Sequence, residues 1–223
     1  MKIVYTLSHR GHMTEDLKRS LSTLTPYICP KDIIIFLTEP IVLEELLFLT
    51  RRGYDVRIRH KTEWKFASKN YLCDIQDDDV IFLDCDTVAK KDPALLLGDF
   101  VFSARPGTSN KRFNYHWKDT LEKYGLHTVP MFNSGVVVFR QGIHRVMAKT
   151  WKSFLDMYID RTLVPPHKDR TMLNQYALSL AVAAHVPPSG IKYMTHTEHG
   201  YNWMRESTDT IIYHLKRMGG SSR

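Results

Sequence analysis

The chain is poor in cysteine: 223 residues carry Cys29, Cys73 and Cys85 only, an odd number at wide spacings. That leaves no disulfide framework and no zinc-finger spacing to read, and with no signal-peptide pattern before Ile3 the expected setting is reducing and cytosolic. Long apolar runs are also missing. Stretches such as 33–37 and 181–184 fall far short of the roughly 20 residues that span a bilayer, so no membrane anchor is expected. Eleven Gly, ten Pro and no repeated tract exclude low-complexity, collagen-like and solenoid architectures.

What is present is the profile of one packed domain, with 43% hydrophobic and 25% charged residues. A chain of this size buries roughly 70% of its unfolded surface, enough for a core without staples. The balance of 31 Lys and Arg against 24 Asp and Glu gives a formal charge of +7, which favours an anionic, phosphate-bearing partner. The basic residues are scattered rather than gathered into an arm, and no RNA-binding aromatic motif occurs, so nucleic acid is not the expected partner.

Short β-branched runs alternate with helical patterns over residues 1–104. Strands are expected at 3–7, 33–37, 54–58 and 80–83, and helices at 14–24 (with Thr14 as N-cap), 42–52 and 66–75. Such a βαβ series predicts a mostly parallel sheet with ligands at the C-terminal strand ends. The second half predicts strands at 100–104, 135–139 and 210–213, some helix over 111–125, and helices at 144–159 and 171–184. The expected organisation is a single α/β domain over 1–216 with a mobile Gly- and Ser-rich tail, 217–223.

The strongest local signal is Val80-Ile81-Phe82-Leu83-Asp84-Cys85-Asp86-Thr87. Four apolar residues carry the chain through a core, and two carboxylates spaced by two emerge on one side. Two hard oxygen donors suit Mg²⁺ or Mn²⁺, ions that bridge to substrate phosphates. A bare Asp-x-Asp also fits a solvated strand end or an Asx turn, but the buried approach strand favours the metal. Cys85 points away from its neighbours and reads as a small buried residue rather than a nucleophile.

Leu83-Asp84-Cys85-Asp86-Thr87 resembles the metal-binding signature of GT-A glycosyltransferases. Further segments are similar to the family of glycogenin and the bacterial galactosyltransferases. Phe132-Asn133-Ser134-Gly135-Val136 resembles that family's donor-sugar segment. Lys168-Asp169-Arg170-Thr171-Met172-Leu173-Asn174 resembles a helix start at the sugar, and His214 resembles the late His that completes the metal site. Lys69 lies upstream of Asp84 at the offset of a donor-contacting Lys or Arg. The matches fall in the family's order and span nearly the whole chain.

The resemblance implies a GT-A, Rossmann-like single domain and a hexosyltransferase. Asp84, Asp86 and His214 would hold Mn²⁺ or Mg²⁺. A UDP-sugar donor would meet Thr6, Leu7, Ser8, Lys69, Asp84, Cys85, Asp86, Asn133, Ser134 and Lys216, with Arg217 beside the last. Asp169, Arg170 and Asn133 would act at the sugar, and the acceptor would be a carbohydrate or glycoprotein hydroxyl. The glycogenin resemblance implies retention of configuration, whereas Asp169 as base would make the enzyme inverting.

The sequence departs from the family pattern at two places. Arg170 stands where the family has Gln, and no Pro-Trp follows His214. The chain is short for this class, either a minimal member or one domain of a longer protein. Two rival functions remain: a sugar-nucleotide pyrophosphorylase, which calls for a Gly-rich loop where 8–13 has only Gly11, and a non-catalytic nucleotide- or carbohydrate-binding module. Asp77-Asp78-Asp79 reads as a solvated turn, and Asp169 reads alternatively as a helix cap. His196 and His199 read as loop histidines without ligand duty. They precede Tyr201 and Trp203, aromatic faces suited to an acceptor-side loop. Trp151, Phe154 and Met157 share helical spacing and read as core, and Tyr115, His116 and Trp117 face substrate or pack.

Overall fold

Runs of Ile and Val such as Ile33-Ile34-Ile35 and Val136-Val137-Val138 have stiff, branched side chains that favour strands buried on both faces. In the computed structural model they form the middle of a seven-stranded sheet. The structure describes residues 1–7, 12–39, 41–60, 65–107, 111–163, 172–201 and 207–215, with backbone alone at 65–67 and 111–116.

The elements in chain order are β1 (Lys2–Leu7), α1 (His12–Leu24), β2 (Ile33–Leu37), α2 (Leu43–Arg51), β3 (Asp55–Ile58), a 3-10 segment (Lys65–Asp74), β4 (Val80–Leu83) and β5 (Thr87–Ala89). They continue with β6 (Phe102–Pro106), α3 (Lys111–Lys123), β7 (Phe132–Phe139), α4 (His144–Ile159), α5 (Leu173–His185), β8 (Ile191–Tyr193), β9 (His199–Tyr201) and β10 (Ile212–His214). The large sheet has the order β3-β2-β1-β4-β7-β6-β8. Its first four strands are parallel, β7 runs antiparallel to both neighbours, and β8 is parallel to β6.

Alternation along the strands splits the core in two. Val4, Ile34, Phe36, Phe82 and Val137 face α3, α4, α5 and the 3-10 segment, burying Trp117, Trp151 and Tyr176. Ile3, Tyr5, Ile35, Ile81, Leu83 and Val138 face α1 and α2 through Leu17, Leu21, Leu24 and Leu49. Gly53, at φ +81°, ends the α2 region as its sequence position predicts. No helix among the described residues is long and apolar enough to cross a membrane.

Several expectations shift. The helix expected over 66–75 is wound as a 3-10 segment, whose three-residue repeat puts Lys69 and Leu72 on one inward line. Helix α1 begins at His12, so Thr14 is not its N-cap but lies buried in the first turn. Strand β7 starts at Phe132, three residues before the expected 135, while β6 and β10 each start two residues after theirs. A second sheet, ordered β5-β10-β9, was not legible, since strands of three residues are too short to show a period. The Asp77–Asp79 turn is pinned rather than merely solvated: Arg140 pairs with Asp79 at 3.1 Å and Arg145 with Asp78 at 2.8 Å.

Trp151 is 2% exposed and its indole Nε1 donates to the Asn174 carbonyl at 3.0 Å, tying α4 to α5. Trp151→Ala is expected to destabilise the fold by about 3–5 kcal/mol, read from the shift of the urea-unfolding midpoint at unchanged slope.

Candidate active site

Strand β4 ends at Leu83, and Asp84-Cys85-Asp86 forms a tight turn rather than a continued strand. The turn is closed by the Thr87 amide, 3.2 Å from the Asp84 carbonyl, and by the Thr87 hydroxyl donating to the same oxygen at 2.8 Å. Because that hydroxyl proton is committed, the buried chain behind it has one direction. Tyr5 donates to Ser20 Oγ at 2.7 Å, and Ser20 donates to Thr87 Oγ1 at 3.3 Å. The core of β1 and α1 thus fixes the turn that presents both carboxylates.

His214 arrives on β10, which pairs antiparallel with β5 so that His214 lies opposite Thr87. The Leu215 amide donates to the Asp86 carbonyl at 2.7 Å, and His214 Nε2 lies 2.9 Å from Asp86 Oδ1. One ligand atom each of Asp84, Asp86 and His214 can be chosen so that all lie within 4.8 Å of one another. The imidazole is buried while the carboxylates keep 33% and 30% of their side-chain surface exposed, so the cluster opens on one side.

Gly135 makes this convergence possible. A Cβ there would collide with His214 Cε1 and sit 2.9 Å from Asp84 Oδ2. Its carbonyl accepts from the Asp84 amide at 2.7 Å, and its own amide donates to Asn133 Oδ1 at 2.8 Å. Asn133 is therefore turned back on the chain, and what it can offer a ligand is Nδ2.

Lys69 points inward rather than outward. Its ammonium donates to Asp84 Oδ1 at 2.9 Å and to the Ser134 carbonyl at 2.7 Å, lies 3.4 Å from Ser134 Oγ, and rides 4.5 Å over the Phe82 ring. Asn174 Nδ2 donates to Ser134 Oγ at 2.9 Å, adding α5 to the same network. Leu7 is wholly buried in the core, so only its backbone could meet a ligand, while Thr6 receives a weak Cys85 Sγ contact at 3.5 Å on its carbonyl. Burial, with the charges of Asp84 and Asp86, pushes the Cys85 thiol up and keeps it protonated, in line with a non-nucleophilic role. Ser8, Asp169, Arg170 and Lys216, together with Lys168, Thr171, Arg217 and Trp203, lie outside the described residues.

Two aromatic assignments change. His199 is not a loop residue: it lies in β9, wholly buried, with Nε2 3.3 Å from His214 Nδ1. Tyr201 is likewise buried in β9 and stacks on the His214 ring at 5.7 Å, so it offers no open face to an acceptor. The shared parity of His199 and Tyr201 was the one sequence sign that both face the same way. Trp117 packs in the core, its Nε1 donating to the Val129 carbonyl at 2.7 Å.

No protein-family model matches the chain, and no curated protein sequence does. Solved structures do match. The galactosyltransferase LgtC, in complex with donor and acceptor sugar analogs, superposes with a TM-score of 0.61 at 14% identity, covering 96% of this chain and 86% of its own. Mouse xyloside xylosyltransferase 1 gives 0.56 at 14% identity, with 96% of both chains covered. The bifunctional glycosyltransferase WbbM gives 0.60 at 14% identity over 90% of this chain, which spans only 40% of the WbbM chain. The fold is that of the GT-A glycosyltransferases.

On this GT-A sheet the Asp84–Asp86 turn follows β4, beside β1, where the strand order reverses and parallel sheets receive ligands. A cleft of about 400 Å³ opens at the ends of β2 and β3, lined in part by Thr38, Glu39, Ile58, Arg59 and His60. The residues fit the divalent ion that a GT-A fold implies. Two carboxylates and an imidazole are a donor set for Mn²⁺ or Mg²⁺, and Gly135 leaves the space in which they meet.

Gly135→Ala, with no left-handed backbone to strain, is expected to push His214 away from Asp84 and cost roughly tenfold or more in Mn²⁺ affinity. Titration of the free-Mn²⁺ electron-paramagnetic-resonance signal checks this, and equal affinity in the two proteins refutes it.

Proposed function

We propose that the protein is a divalent-metal-dependent hexosyltransferase that moves a sugar from a UDP-sugar to a hydroxyl of a carbohydrate or glycoprotein acceptor. The observation that carries this reading is the meeting of Asp84, Asp86 and His214 at the strand ends of a GT-A sheet, the last two 128 residues apart in sequence. Charge developing on a departing nucleoside diphosphate is the main obstacle to breaking the glycosidic bond. A bound Mn²⁺ or Mg²⁺ ion supplies Lewis-acid charge against it.

The chain's own residues divide the remaining work. Asp84, Asp86 and His214 would hold the ion, and Lys69 donates to Asp84 Oδ1 while Oδ2 lies over Gly135. Thr6, the Leu7 backbone and Ser8 receive the nucleoside at the end of β1, with Cys85 contributing backbone between the two carboxylates. Asn133 Nδ2 and Ser134 line the sugar, Asp169 and Arg170, which precede α5 in sequence, act on it, and Lys216 adds a cation after His214. The transfer is read as retaining. We read its setting as reducing and cytosolic, which three free, widely spaced cysteines fit.

Nucleotide sugars incubated with the protein should show slow acceptor-free hydrolysis of one UDP-linked donor in Mn²⁺. EDTA should abolish it, and Asp86→Ala should lower it about 100-fold or more. Binding or turnover indifferent to both metal and Asp86 overturns the reading, and turnover of a nucleoside triphosphate with a sugar phosphate replaces it with a pyrophosphorylase.

A further inference from the structure

Strand β9 runs parallel to β10 with His199 beside Ile212, Gly200 beside Tyr213 and Tyr201 beside His214. Side chains alternate along a strand, so His199 and Tyr201 share the face that meets His214. The His199 and His214 rings stack at 5.5 Å and 18°, and His199 Nε2 lies 3.3 Å from His214 Nδ1. Both rings are buried, at 0% and 1% exposure. The pair is held from two sides. Arg105 Nη1 donates to the His199 carbonyl at 2.5 Å while its guanidinium lies 4.5 Å over the Tyr201 ring. Gly200 lets β9 seat closely, since a Cβ there would meet Thr210 and Tyr213 at 3.0 Å.

A neutral imidazole has one N–H. If His214 gives its Nε2 lone pair to an ion shared with Asp84 and Asp86, its hydrogen must sit on Nδ1, in a place without solvent, where a donor needs an acceptor. His199 Nε2 is at that position. When instead His214 Nε2–H donates to Asp86 Oδ1, Nδ1 becomes an acceptor and His199 can donate to it. Imidazole can play either part.

Resting on the metal-site reading above, we propose that His199 is a positioning residue that sets the tautomer and ring orientation of His214, presenting Nε2 to the divalent ion. The general cost of losing such a partner is 10–100-fold in metal affinity.

The test uses the full chain with Mn²⁺ alone, titrated by electron paramagnetic resonance, and thermal melts of each variant. His199→Leu, which fills the space but cannot hydrogen-bond, should weaken Mn²⁺ binding about 10–100-fold. His199→Gln, whose carboxamide can donate or accept, should restore affinity to within about threefold of wild type. A purely structural role would lower the melting temperature of both variants without this split. Should His199→Leu fail to fold, a ¹⁵N–¹⁵N coupling through the hydrogen bond on the Zn²⁺-loaded wild type decides the matter: His214 Nδ1–H should couple to His199 Nε2, and a His214 Nδ1–H without that coupling overturns the proposal. Wild-type binding unchanged in His199→Leu overturns the role of His199 alone. Wild-type protein that takes up no Mn²⁺ overturns the metal site itself and the proposal with it.

Discussion

The site depends on the passage of the β7 backbone at Gly135 beneath Asp84 and His214. Strand β4 is fixed to β7 through Leu83 and Val136, and one step further the Asp84 amide bonds the Gly135 carbonyl. His214 can cross above that point only because no side chain stands there. The limit is one of volume, since any Cβ would displace an imidazole or a carboxylate from the position that the sheets give it.

Around this crossing the charges are balanced in a graded way. Lys69, buried in the protein, would be costly there without partners, and it has a carboxylate, a carbonyl and an aromatic face within reach. It supports Asp84 from the core side of the turn. Asp84 and Asp86 are the more exposed members, so the polar support and His214 lie toward the core and the carboxylates toward solvent. The directional hydroxyl chain from Tyr5 to Asp84 carries the rigidity of the sheet into the turn.

Both sheets are needed for this arrangement. The large sheet brings β1, β4 and β7 together and leaves the strand ends open, as a GT-A fold does. The small sheet, β5-β10-β9, closes one side with three rings, His199 and Tyr201 each near-parallel to His214 and tilted to one another. Its strands are short, and their order follows from what they hold: β10 between β5, which continues from the carboxylate turn, and β9, which backs the imidazole.

Long apolar runs made most of the large sheet legible, because β-branched residues buried on both faces admit few other conformations. Four parallel strands, the helices between them and the Asp-x-Asp at the end of 80–83 follow from that pattern, and the late His214 came from resemblance. The direction of Lys69 was not legible, nor was the winding of 65–74, because both answer to Ser134, Asp84 and the core packed beneath them. His199 looked like a loop residue because a strand of three residues has no period to read. Sequence by itself determined where carboxylates leave the core, since that is set by local apolar runs. Tertiary structure alone decided how the distant groups meet and that His199 backs His214, because the approach of Gly135, His199 and His214 depends on contacts between strands far apart in the chain.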